Sequence, residues 1–259
     1  MTPLRVFITG ASSGIGAALA AEYAAQGAIL GLLSRRQDAL DTLIGGLQNS
    51  ERHRAYAADV RDHAAIAAAA QSFLAYASGI DVVIANAGIS AGTLTEYAED
   101  LPVFEAIIAT NVVATAATFA PFIPAMKTQS TPMRLVGIGS VAGIRGLPGA
   151  EAYCASKAAV ITYCESLRLE LKPYGIRVVT ICPGYIDTPM TRHNPYRMPF
   201  LMAPAKFATA AARAIAAGSS YKVIPWQMGW VAKLLRVLPN AVFDRALGKA
   251  KRKPRQGAA

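Results

Sequence analysis

Short apolar runs alternate along this chain with longer stretches of helical character. The strand-like runs are Arg5–Thr9, Ile29–Ser34, Arg54–Ala58, Asp81–Asn86, Arg134–Gly139, Arg177–Cys182 and Tyr221–Trp226. Between them lie Ala- and Leu-rich segments expected to be helices: Ile15–Gln26, Gln37–Leu47, Ala64–Tyr76, Val103–Met126, Tyr153–Leu171 and Pro204–Ala217. Strands that are apolar almost throughout bury both faces, which requires a parallel sheet covered by helices on each side. The alternation predicts one Rossmann-type, doubly wound α/β domain over residues 1–259, built on a sheet of about seven strands. With 53% hydrophobic and 16% charged residues, the chain can fill such a core. After Trp226 the rhythm stops, and an additional C-terminal segment begins at about residue 227.

Several classes of function are disfavoured by composition. Cys154, Cys164 and Cys182 form no C-x-x-C pair and suit a reducing compartment. His53, His63 and His193 lie far apart without ligand spacing, so no metal site is expected. The opening Leu4–Gly10 reads as a core strand rather than a leader, and no uninterrupted apolar run is long enough to span a bilayer. A cytoplasmic protein is expected. Residues 1–187 carry 13 basic and 15 acidic side chains, whereas residues 188–259 carry 13 basic and one acidic (Asp244), so the +10 net charge belongs to the last part of the chain. An anionic partner would be sought there.

The first strand runs into Thr9-Gly10-Ala11-Ser12-Ser13-Gly14-Ile15-Gly16 and then a helix. Glycines at these positions let the backbone turn tightly and approach a pyrophosphate at the helix N-terminus, so this is a candidate dinucleotide cradle. The end of the second strand bears on which dinucleotide. An acidic residue there would accept hydrogen bonds from the adenosine ribose; this chain has Ser34-Arg35-Arg36 instead. Guanidinium groups suit a 2′-phosphate, which favours NADP(H) over NAD(H), with a solvated basic turn as the competing reading. Tyr153 and Lys157 are one helical turn apart on a shared face, a spacing that means little without support.

That support is the ordered set of motifs: the glycine cradle, Asp59-Val60, Asn86-Ala87-Gly88, Asn111, Ser140, Tyr153-x-x-x-Lys157, and Pro183-Gly184 with Ile186 and Thr188. Over roughly residues 4–190 this order resembles the compact branch of the short-chain dehydrogenases/reductases. The resemblance implies hydride transfer between a nicotinamide and a carbonyl or alcohol. Tyr153 would exchange the proton, Ser140 would hydrogen-bond the reacting oxygen, and Lys157 would lower the tyrosine pKa and hold the nicotinamide ribose. Asn111 would keep a water in a relay to Lys157. Asp59 and Val60 would lie along the adenine, Asn86 to Gly88 would floor the cleft, and Pro183, Gly184, Ile186 and Thr188 would border the nicotinamide end. Dimers or tetramers are common in the family, and the Tyr153–Leu171 helix is a candidate interface.

The chain departs from the family after Thr188. Met190, Tyr196, Met198, Phe200, Leu201 and Met202 make the expected substrate cover apolar and adaptable, which suits a lipophilic carbonyl or alcohol; simple packing on the core is the alternative. A 3-oxoacyl thioester reductase and a non-catalytic NADP-sensing protein are the competing functions. Further on, Trp230, Val231, Leu234, Leu235 and Leu238 share a helical face, followed by the basic run Lys249-Ala-Lys-Arg-Lys-Pro-Arg255. Such a segment could lie on an anionic membrane surface, or the helix could dock on its own subunit or a partner with the tail solvated. The run has no interleaved aromatics, so no nucleic-acid partner is expected.

Overall fold

The computed structural model describes residues 2–192, 194–248 and 252–255, which leaves His193 and the start of the basic run, Lys249 to Lys251, outside the described residues. Seven parallel strands, β1 (Arg5–Thr9), β2 (Ile29–Ser34), β3 (Arg54–Ala57), β4 (Val82–Ala85), β5 (Arg134–Ile138), β6 (Arg177–Pro183) and β7 (Tyr221–Ile224), form one sheet in the order β3-β2-β1-β4-β5-β6-β7. Alternate side chains of each strand feed two separate apolar layers. Val6 and Ile8 of β1 join Leu19 and Tyr23 of α1 (Gly14–Ala25), Leu40 of α2 (Gln37–Gly45), and Phe207 and Ala211 of α8 (Pro204–Ala216). Phe7 faces the other way, toward Phe73 of α3 (His63–Ala77) and Cys164 and Leu167 of α7 (Glu151–Leu171).

The expected Val103–Met126 helix is not one regular helix. It divides into α4 (Leu101–Ile108), a π-helical turn over Ala109–Val113, α5 (Ala114–Phe119) and α6 (Ile123–Thr128). By length and composition alone Ala98–Thr128 could cross a membrane, contrary to the sequence expectation that no such run exists. It is a core element instead: Ala114, Phe119, Phe122 and Met126 pack in the same layer as Phe7.

The C-terminal segment is helical, as α9 (Trp226–Val237) and α10 (Asn240–Leu247). Only Met228 and Ala232, one turn apart, are buried on α9. The face expected to be apolar looks outward, with Trp230 66% and Leu234 60% exposed. Arg145 ties this segment down by donating to the Leu238 carbonyl at 2.7 Å and to Asn240 Oδ1 at 2.8 Å.

Candidate active site

The strand order reverses between β1 and β4, and ligands of open α/β sheets bind at the carboxyl ends of the strands beside such a reversal. Each motif residue sits where a strand ends: Gly10 after β1, Ser34 in the last position of β2, Asp59 after β3, Asn86 after β4, Ser140 after β5 and Gly184 after β6. A cleft of about 400 Å³ runs along this edge. Its walls include Gly10, Ser12, Ser13, Gly14, Ile15, Ser34, Arg35, Arg36, Asp59, Val60, Asn86 and Ala87 toward one end, with Gly88 between the two ends, beside Lys157. Ser140, Tyr153, Lys157, Pro183, Gly184, Ile186 and Thr188 line the other.

Gly16 and Asn111 stand behind the wall. A side chain at Gly16 would strike the Gly10 carbonyl and the Asn86 amide, so glycine here permits the close approach of helix to strand. Asn86 is also engaged internally, its Nδ2 donating to the carbonyls of Thr9 at 3.0 Å and Gly10 at 3.1 Å. It clasps the β1 loop to the β4 loop across the reversal. Asn111 occupies the π-helical turn and is 1% exposed. Its Oδ1 accepts from the Ile89 amide at 2.8 Å, and its Nδ2 donates to the Ile89 carbonyl at 3.0 Å and to Ser156 Oγ at 2.9 Å.

The walls fit a phosphorylated dinucleotide. Gly10 and Gly14 have φ of 65° and 55°, and a side chain at Gly14 would come within 3.2 Å of Thr188 across the cleft. Ser13 makes no side-chain cap on α1, so the first amides of that helix are available to an anion. Arg35 and Arg36 are exposed and make no ion pair among the described residues. A third guanidinium, Arg61, was missed from sequence. It pairs with Asp59, Nη2 to Oδ2 at 2.7 Å, and holds that carboxyl at a pKa of about 2. Its place two residues after Asp59 was the available signal.

At the other end, burial pushes the Tyr153 hydroxyl up to about 12, with the Ser140 hydroxyl pulling weakly the other way. Burial also lowers the Lys157 ammonium to about 8. The expectation that Lys157 would depress the tyrosine pKa is therefore not met by the chain alone. Lys157 Nζ instead donates to the Ile138 carbonyl at 2.9 Å and lies 5.8 Å from the Tyr153 ring centroid. Gly143 was also missed from sequence. Its Cα faces the α7 backbone so closely that a Cβ would lie 2.6 Å from the Lys157 carbonyl carbon, which seats the Ser140 loop on the helix that carries Tyr153 and Lys157.

Beyond Thr188 the chain forms a loop closed at its neck. Met202 donates its amide to the Tyr185 carbonyl at 2.9 Å, and the Asp187 amide donates to the Met202 carbonyl at 3.0 Å. Met190 lines the cleft, while Phe200 and Leu201 are about half exposed and Met198 and Met202 partly buried. Tyr196 stacks at a tilt on Tyr185 with ring centroids 6.3 Å apart, and lies near enough to Tyr153 to bear on its ionisation. Ala58, Ile89, Thr110, Ile138, Gly139, Pro189 and Thr191 complete the walls and were not singled out from sequence.

The family model for short chain dehydrogenases matches residues 5–197. An uncharacterized oxidoreductase of Myxococcus xanthus is 37% identical over 257 residues, covering 95% of this chain and 97% of the relative. Among solved structures, a short chain dehydrogenase of Burkholderia cenocepacia in complex with NADP superposes with a TM-score of 0.80 at 26% identity, covering 95% and 98% of the two chains. A 3-ketoacyl-(acyl-carrier-protein) reductase of Brucella melitensis complexed with NADH gives 0.76 at 26% identity, covering 85% and 96%. These relatives carry both forms of the nicotinamide cofactor. This chain belongs to the short-chain dehydrogenase family and is an NAD(P)(H)-dependent oxidoreductase acting on carbonyl or hydroxyl groups.

Proposed function

We propose that the chain works as one domain, an NADP(H)-dependent carbonyl reductase or alcohol dehydrogenase for a lipophilic ketone, aldehyde or alcohol. The observation that carries this reading is one cleft with Ser140, Tyr153 and Lys157 at one end and unpaired Arg35 and Arg36 at the other. When bound, the nicotinamide supplies or takes the hydride. Tyr153, kept protonated by burial, donates its proton to the carbonyl oxygen, and Ser140 hydrogen-bonds the same atom. The Lys157 cation stabilises the tyrosinate left behind. A Cβ built on Gly88 would lie 3.2 Å from Asn111 Oδ1 and 3.5 Å from Lys157 Nζ, a gap suited to one water joining the two.

NADPH consumption measured against aldehydes, ketones, steroids and 3-oxoacyl thioesters tests the reading; oxidation confined to thioesters would replace it. The likeness to the Brucella enzyme favours that second reading, a 3-oxoacyl thioester reductase. A non-catalytic NADP sensor would have no use for the complete Ser140, Tyr153, Lys157 and Asn111 set, and no turnover anywhere in the panel would point to it.

The free, buried cysteines favour a cytoplasmic setting. The outward face of α9 favours peripheral contact with anionic lipid. Trp226, Trp230, Leu234 and Val237 are each at least 60% exposed, and residues 222–245 also expose Lys222, Lys233, Arg236 and Arg245 against one acid, Asp244. A homo-oligomer would use α4 and α7, which expose Leu101 and Leu169.

A further inference from the structure

The last described residues do not run free into solvent. Arg255 and Gly92 pair as a parallel bridge, and the Gly92 amide donates to the Pro254 carbonyl at 3.2 Å. A side chain at Gly92 would strike the carbonyl oxygens of Lys253 and Pro254, so glycine is what admits the tail. Lys253 Nζ donates to Ser90 Oγ at 2.8 Å. Arg255 forks onto Asp100, Nε to Oδ2 at 2.8 Å and Nη2 to Oδ1 at 3.1 Å, and Nη2 also reaches Glu99 Oε1 at 3.0 Å. Its guanidinium lies 3.6 Å from the Tyr97 ring centroid. Asp100 is 3% exposed and accepts the Leu94 amide at 2.8 Å as well. On the opposite side Arg252 packs on Gly149, where an added Cβ would lie 2.9 Å from its own Cβ.

These contacts join the two loops that border the reacting end. Gly88 and Ile89 begin one loop, line the cleft and are held to Asn111. Ser140 begins the other, which passes Gly149 and enters α7 just before Tyr153. A two-pronged guanidinium–carboxylate pair fixes orientation as well as distance.

We propose that residues 252–255 are a fixed brace behind the substrate end, with Arg255 as a positioning residue that holds the Ser90–Asp100 loop in place through Asp100. The part played by the substrate rests on the oxidoreductase reading above. Lys253 and Arg255 are then engaged inside their own subunit, and this anchorage weakens with salt while the cradle at Gly10–Gly16 does not.

The test uses the full chain with Arg255→Glu, Arg255→Gln and Arg255→Lys, which leave the Asp100 bond to the Leu94 amide in place. Hydrogen exchange should rise several-fold over residues 89–100 in Arg255→Glu and Arg255→Gln, stay unchanged over 10–16 and 34–36, and rise less in Arg255→Lys, which keeps the charge without the fork. With 9,10-phenanthrenequinone as a lipophilic carbonyl probe, KM should rise about tenfold in Arg255→Glu and Arg255→Gln, with kcat and NADPH affinity within about twofold. Arg255→Lys should recover part of the loss in KM. Unchanged exchange over 89–100 in Arg255→Glu overturns the proposal, as does a change in kcat without one in KM. A native chain that binds NADPH but reduces no carbonyl would count against the oxidoreductase reading instead, and the exchange result would still judge the tail.

Discussion

Tyr153 and Lys157 show how one environment moves two groups in opposite directions. The same burial that favours the neutral phenol also favours the neutral amine, raising one pKa and lowering the other. Tyr153→Phe should lower kcat by about 10²–10⁴-fold while NADPH binding, measured by titration calorimetry, stays within about twofold; near-native turnover would remove Tyr153 from the chemistry. A lowered lysine pKa means the charge is present below about 8 and lost above it. The kcat/KM of carbonyl reduction should therefore be level below neutrality and decline as pH rises through that value, measured in buffers of constant ionic strength. At the far end of the cleft, Ser34→Asp with Arg35→Ala should shift preference from NADPH toward NADH. Equal selectivity ratios in variant and native protein would show that neither position reads the 2′-phosphate. What could be read from the sequence at this scale was residue type and order. The internal duties of Asn86 and Gly16 depend on a close approach of two strands and a helix, which spacing along the chain does not encode.

Elements were legible wherever burial imposes a period. All seven strands fall within two residues of the expected bounds; the five inner ones do so because a strand covered on both faces must be apolar for nearly its whole length. The stretch around Asn111 was not legible, since a π-helical turn uses the same residue types as the α-helix around it. Its register places a buried amide against Ile89. Two glycines carry predictions at this level. Gly16→Ala forces a methyl into the backbone of the β1 loop and should lower the thermal midpoint, at a cost of about 1–3 kcal/mol, in a calorimetric scan. Gly143→Ala should push the Ser140 loop off α7 and reduce kcat by about 10–100-fold with little change in folding; full activity would mean the loop can reseat without loss. Neither glycine stood out in the sequence for these contacts, because both are forbidden a side chain by a partner remote in the chain.

Across the whole molecule, charge and apolar surface are both displaced toward the C-terminal region, but they are arranged differently from a simple basic tail. Lys253 and Arg255 turn inward, and the apolar stripe of α9 turns outward. Periodicity identified that stripe without telling which way it faced, since only Met228 and Ala232 were needed to seat the helix. Trp230→Glu with Leu234→Glu should abolish any flotation with phosphatidylserine vesicles while leaving NADPH turnover within about twofold. If the native chain stays with the soluble fraction, α9 meets something other than lipid.

The sheet ends on each side in a strand of four residues, β3 and β7, with Arg54 exposed on one rim and Lys222 on the other. Short, charged rims resist the addition of another strand. Growth by sheet extension is therefore disfavoured at both rims, because a further strand would have to pair beside an exposed Arg54 or Lys222.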